Sequence, residues 1–127
     1  MVMTDNPASK ITASELEIMK LLWHTEDALT VTEIREKLQI LKGWEPATIK
    51  TLISRLVSKG ALRQEKRNVF YYSPNISEQE YSSWATEDLI SRLYNGRARD
   101  LVAALVNSDG LTRDDLEELR QMFKVEE

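Results

Sequence analysis

A chain of 127 residues with a formal net charge of −4 is long enough for one compact domain, or for a small domain with a helical appendage. It holds no cysteine and one histidine, which excludes disulfides, thiolate metal sites and cysteine nucleophiles and leaves little for zinc or histidine-based catalysis, so no cofactor and no metal are expected. No apolar run approaches the roughly 20 residues of a membrane span, and the start lacks a basic-then-apolar leader, so the expectation is a soluble cytoplasmic protein without membrane contact.

Met1 to Lys10 has no periodicity and contains Asn6-Pro7, which reads as a frayed arm. Thr12-Ala13-Ser14-Glu15 is a capping box, and Leu16, Ile18, Met19, Leu22 and Trp23 follow at helical spacing, so a first helix ends near Trp23. His24 sits at its C-terminal end, where partial positive charge is favourable. A short strand is expected at Ala28-Leu29. Thr30-Val31-Thr32-Glu33 repeats the capping box, and Val31, Ile34, Leu38 and Leu41 mark a second helix of about ten residues, closed by Lys42-Gly43. Trp44 precedes the third helix, either packing against the turn or offering its indole N–H to a phosphate.

The third helix carries the strongest functional signal. Pro46 suits a first helical position and Gly60 the left-handed position past the end. Ile49, Leu52, Ile53, Leu56 and Val57 form an apolar stripe. The remaining face holds Ala47, Thr48, Lys50, Thr51, Ser54, Arg55 and Ser58, with no acid after Glu45. Short hydroxyls, a small methyl and cations suit a DNA groove, where they meet phosphates, base edges and thymine methyls; taken alone the same face also fits an ordinary solvated surface. Two helices joined by a tight glycine-containing turn form a helix-turn-helix.

Beyond Gly60 the apolar period changes to two. Ala61 to Glu65 and Val69 to Ser73 flank Lys66-Arg67-Asn68, with Asn68 able to take a positive φ, so a β-hairpin with a cationic tip is expected. Three helices and such a hairpin make a winged helix-turn-helix at residues 11–74.

Charge is distributed unevenly. Through Ser73 eleven Lys and Arg face nine Asp and Glu, whereas from Pro74 onward six basic residues face twelve acidic ones. Between Lys42 and Arg67, seven cations are opposed only by Glu45 and Glu65, enough for a phosphate-seeking patch on an acidic protein.

Residues 77–124 read as a helical dimerisation domain. Ser77 with Glu80 caps a helix striped by Tyr81, Trp84, Ala85, Leu89 and Leu93, which Tyr94-Asn95-Gly96 breaks. A short helix from about Ala98 to Val106 carries Leu101 and Leu105, and Thr112 with Asp115 caps a last helix lined by Leu116, Leu119, Met122 and Phe123. Asp114, Asp115, Glu117 and Glu118 match the helix dipole rather than a metal or an acid–base pair. Three short amphipathic helices enclose little core alone, so a second copy of the chain is the expected cover, and a dimer of reading helices implies a palindromic site.

These residues resemble the penicillinase-repressor, or BlaI/MecI/CopY, group of bacterial transcriptional repressors. The resemblance runs from Ile11 to Phe123. It rests on Ser14-Glu15-Leu16-Glu17-Ile18-Met19 with Leu22-Trp23, on Trp44-x-Pro46-x-Thr48-Ile49-x-Thr51-Leu52 with Arg55-Leu56, and on Lys59-Gly60-Ala61-Leu62 and Tyr72-Ser73-Pro74-Asn75-Ile76. Tyr94-Asn95-Gly96 and Asp115-Leu116-Glu117-Glu118-Leu119 extend it.

The resemblance implies a homodimer on TACA/TGTA dyads, controlling β-lactam-resistance or related stress genes. In the β-lactam branch a regulatory protease cleaves the dimerisation helices, and the corresponding bond here is near Ala104-Leu105, where cleaved relatives carry Asn-Phe. In the copper branch a cysteine cluster binds metal, which a chain without cysteine cannot do. Glu45 stands where relatives commonly carry Ser as the helix cap; its carboxylate can cap but repels phosphate. The wing is about one residue shorter and lacks their Gly.

The reading is therefore a mainly α protein with a small β-hairpin, a winged helix-turn-helix followed by a three-helix dimerisation region, acting as a DNA-binding repressor without enzymatic activity. The DNA-binding set is Ala47, Thr48, Lys50, Thr51, Ser54, Arg55, Lys66 and Arg67; the dimerisation set is Tyr81, Trp84, Leu89, Leu93, Leu101, Leu105, Leu116, Leu119 and Phe123. The alternative is a winged helix used for protein–protein contacts, and an enzyme is disfavoured for want of a nucleophile–base pair, a phosphate loop or a metal set.

Overall fold

The computed structural model describes residues 6–123. Its elements run α1 (Ala13–Trp23), β1 (Leu29–Thr30), α2 (Val31–Lys42), α3 (Pro46–Ser58), β2 (Leu62–Lys66), β3 (Phe70–Pro74), α4 (Glu78–Tyr94), α5 (Ala98–Val106) and α6 (Arg113–Met122). The three strands form one antiparallel sheet in the order β1-β3-β2. Two compact units divide within α4, the first reaching Ala85 and the second starting at Thr86.

Local chemistry sets the helix ends of the first unit. Reciprocal capping boxes start α1 (Thr12 with Glu15) and α2 (Thr30 with Glu33). Each satisfies two backbone N–H groups that the helix leaves free. Gly43 closes α2 at φ 68°, a conformation that side chains rarely adopt. At the end of α3, Gly60 takes φ 82°, its N–H bonds Val57 O, and Ala61 N–H bonds Leu56 O. This Schellman closure turns the chain directly into β2.

The core of this unit is continuous. Ile18, Met19 and Leu22 of α1, Ile34 and Leu38 of α2, and Ile49, Leu52, Ile53 and Leu56 of α3 are buried together with Leu29, Ala61, Leu62, Tyr72 and Ile76. Each such Leu or Ile is worth about 1.5–3 kcal/mol over exposure, so these side chains hold the three helices against the sheet. Trp23 Nε1 donates to Ile76 O at 2.9 Å, closing the module beside the chain's exit into α4.

Several sequence expectations shift. Asn6 to Lys10 is not frayed: Pro7–Lys10 forms a 3-10 turn, Asn6 Oδ1 accepts from Ala8 N–H, and Ala8 is 2% exposed within the core. The rest of that expected arm, residues 1–5, lies outside the described residues, as does residue 124 of the expected second domain. The first strand falls at Leu29–Thr30, one residue later than expected, because Thr30 ends it and caps α2 at once. The second helix has 12 residues, and Leu41, read as part of its apolar stripe, is 67% exposed, since the core contacts of α2 end at Leu38.

In the hairpin Lys66 belongs to β2, paired with Phe70, leaving Arg67-Asn68-Val69 as the turn. Asn68 does not take a positive φ; its Oδ1 instead accepts from Val69 N–H, and Arg67 N–H bonds Val69 O. Glu45 precedes α3 at the cap position but makes no side-chain cap hydrogen bond, and Pro46 opens the helix.

The second unit differs in kind. No described residue of α4, α5 or α6 is buried, although α4 and α6 start on capping boxes, Ser77 with Glu80 and Thr112 with Asp115. Asn95 at φ 52° and Gly96 at φ 83° turn α4 into α5. Val102, Leu105, Leu116, Leu119 and Phe123 line an apolar groove of about 400 Å³ rimmed by Arg120. Helices this short gain most of their stability from packing, so this unit displays the apolar surface that a cover would bury.

Candidate nucleic-acid interface

The buried stripe of α3 fixes its rotation, and that rotation decides which side chains face outward. With Ile49, Leu52, Ile53 and Leu56 in the core, Ala47, Thr48, Lys50, Thr51, Ser54 and Arg55 are all exposed. All of these except Thr48, together with Ser58 and Lys59, line a shallow groove along the helix. Thr51 Oγ1 donates to Ala47 O at 3.0 Å, which leaves the oxygen's lone pairs free to accept from a ligand. Trp44 is half-buried against the core, so of its two readings the packing one describes its position.

The cations separate into two groups. Lys59 Nζ lies 2.6 Å from Glu15 Oε1 and 2.8 Å from Lys10 O, Lys42 Nζ lies 3.0 Å from Glu17 Oε1, and Arg67 Nε lies 2.8 Å from Glu65 Oε1. Arg63 donates to Asn75 Oδ1 at 3.2 Å. By contrast Lys50 and Arg55 have no partner among the described residues, and Lys66 reaches only the ring of Phe70, 5.7 Å from its centroid. The positive surface is therefore narrower than the sequence count implied: of the seven cations between Lys42 and Arg67, Lys50, Arg55 and Lys66 are those without a hydrogen-bond or ion-pair partner among the described residues.

Glu15 explains part of that narrowing. Its side chain is fully buried; burial alone would raise its pKa, but the hydrogen bonds from Lys59 and from the Thr12 backbone N–H outweigh it and hold the carboxyl below its ordinary value. The charged pair ties the end of α3 to the start of α1.

On the wing the two cations face opposite ways. The strand period places Phe70 on the same face as buried Tyr72, with Lys66 directly across from Phe70. Arg67 instead stacks on Tyr71, 4.4 Å from its ring centroid, on the other face.

The sequence model of the penicillinase repressor family matches residues 11–125. The chain belongs to the penicillinase-repressor family. It is 34% identical over 116 residues to a penicillinase repressor of Bacillus licheniformis, covering 91% of this chain and 90% of that one. It is also 34% identical over 120 residues to the methicillin resistance regulatory protein MecI of Staphylococcus aureus, covering 94% and 97%.

Among solved structures of the family, the DNA-binding domain of the repressor BlaI matches with TM-score 0.54 and 39% identity over 62% of this chain and 94% of that one. The monomeric form of Bacillus licheniformis BlaI in complex with the blaP half-operator matches with TM-score 0.51 and 40% identity over 57% and 88%. The winged helix-turn-helix expected from the sequence is thus the fold of this penicillinase-repressor member.

The residues expected to dimerise split in the structure. Tyr81 and Trp84 pack partly buried against the core of the first unit, Tyr81 lying 5.7 Å from the Trp23 ring and 6.1 Å from that of Trp84. Sequence periodicity groups them with Leu89 and Leu93 but cannot see that Trp23 reaches the start of α4. Leu93, Leu105, Leu116 and Phe123 remain exposed, and Leu89, Leu101 and Leu119 are half-buried. Ala104 and Leu105 lie within α5, both exposed.

Proposed function

We propose that this penicillinase-repressor member is a sequence-specific, homodimeric DNA-binding repressor that presents α3 to the major groove and its wing to the flanking backbone. The observation that carries this reading is the outward face of α3, acid-free along its length, where Lys50 and Arg55, without partners among the described residues, stand among Ala47, Thr48, Thr51 and Ser54. A cation with no internal partner is free to exchange its counterions for phosphates, and a guanidinium can fork onto a guanine edge. Lys66 acts with α3. Arg67, already neutralised by Glu65, contributes less than the sequence implied.

Two copies meet through the apolar side chains of α4 to α6 beyond the first unit: Leu89, Leu93, Leu101, Leu105, Leu116, Leu119 and Phe123. Tyr81 and Trp84 support the module instead. The dimer reads a palindrome of TACA/TGTA type, as the family resemblance implies, and has no enzymatic role. Its operator lies before β-lactam-resistance or related stress genes. A regulatory protease cutting the exposed Ala104-Leu105 bond would separate the interface and release the operator.

Leu89→Asp tests the interface. The variant is expected to sediment as a monomer and to lose most operator binding, because each half-site then binds without its partner. An intact dimer would remove Leu89 from the interface. Lys66→Ala is expected to weaken operator and scrambled duplex by the same factor and to lower the salt slope of binding by about 0.9, the value for one phosphate. A loss confined to the operator would move Lys66 from backbone to base.

A further inference from the structure

The wing and α3 enclose a cleft of about 320 Å³, lined by Thr30, Val31 and Thr32 at the start of α2, Lys50 of α3, and Val69, Phe70 and Tyr72 of the wing. Lys50 is its charged lining group, and among the described residues no acid lines it. Val69 in the turn is 50% exposed and Phe70 at the start of β3 is 40% exposed, which leaves apolar surface open along the wing. Lys66 lies on the Phe70 side of the wing, whereas Arg67 lies on the Tyr71 side with Glu65.

We propose that this cleft seats one sugar–phosphate unit of duplex DNA, with Lys50 Nζ and the Thr32 hydroxyl on the phosphate and Val69 and Phe70 against the deoxyribose. The proposal rests on α3 being the reading helix. If α3 occupies a major groove and the wing rests on the flanking backbone, the strand bordering that groove passes between them, through this cleft. Its lining suits that occupant: a cation and a hydroxyl for an anionic group, and apolar surface for a sugar that carries no 2′-hydroxyl. Lys50 is then a positioning contact on the backbone, and sequence selection falls to Thr48, Thr51 and Arg55.

The test combines variants with a backbone scan on the full-length protein. Lys50→Gln is expected to weaken operator and scrambled duplexes by the same factor and to lower the salt slope by about 0.9. Phe70→Ala, checked by thermal melting, should weaken both duplexes equally with the slope unchanged. In a scan replacing single phosphates by uncharged methylphosphonates, one position per half-site should cost the wild type affinity and cost Lys50→Gln much less, a readout that does not depend on the fold of the Phe70 variant.

If the wild type binds DNA with a salt slope but no scanned position depends on Lys50, the cleft proposal is overturned while the repressor reading stands. A Lys50→Gln protein that loses discrimination at a single base pair would also overturn it, placing Lys50 on a base. A wild type with no salt-dependent affinity for any duplex would overturn both readings.

Discussion

Lys59→Met is expected to destabilise the protein by about 3 kcal/mol or more at neutral pH, read as a shift in its urea unfolding midpoint. Glu15 is fully buried, and its Oε1 lies 2.6 Å from Lys59 Nζ; its Oε2 has no hydrogen-bond partner among the described residues. Removing the ammonium leaves a buried carboxylate with only the Thr12 backbone N–H, and the cost of an uncompensated buried charge exceeds the modest worth of the pair itself.

The pH dependence follows from the depressed pKa of Glu15. A carboxyl lowered on folding contributes stability that is fully present above its ordinary unfolded pKa and is lost as pH falls through its lower folded value. The difference between wild type and Lys59→Met should therefore shrink in acid, where Glu15 is protonated in the variant. Because Lys59 is occupied internally, the DNA salt slope of the variant should equal that of wild type under conditions where it is folded. A stability unchanged at neutral pH would show that the pair does not hold α3 to α1.

Arg55→Ala is expected to act in the opposite way, leaving unfolding nearly unchanged while costing about 1–3 kcal/mol of operator binding per half-site. Arg55 is exposed, has no partner among the described residues, and stands one turn after Thr51 on the outward face. Its removal breaks no internal bond. If its guanidinium forks onto a guanine, discrimination at that base pair should relax while affinity for scrambled duplex falls much less. Equal affinity for the operator would take Arg55 off the contact surface.

These two residues also show what the sequence made legible. Helix starts were readable because a capping box acts over three residues, and Thr12-Glu15, Thr30-Glu33, Ser77-Glu80 and Thr112-Asp115 all form as the spacing requires. The outward face of α3 was readable because a buried stripe fixes a helix's rotation. The fate of its cations was not. Lys59 finds Glu15 across 44 positions of chain, a pairing that charge counting within Lys42 to Arg67 cannot register.

The same limit applies to Tyr81 and Trp84, whose period matches Leu89 but whose position depends on Trp23. It applies as well to Pro7 to Lys10, where a polar, aperiodic stretch hides a buried Ala8. The wing's division of Lys66 from Arg67 needed the register of β2 on β3, which a one-residue difference in turn placement reverses.

The most direct test of the α3 reading is fluorescence anisotropy of the purified protein on a TACA/TGTA palindrome and on a scrambled duplex, each at low and at near-physiological salt. Tighter binding to the palindrome, with affinity falling steeply as salt rises, is the expected result. Equal and salt-independent affinity for both duplexes would contradict it and leave the winged helix as a surface for protein contacts.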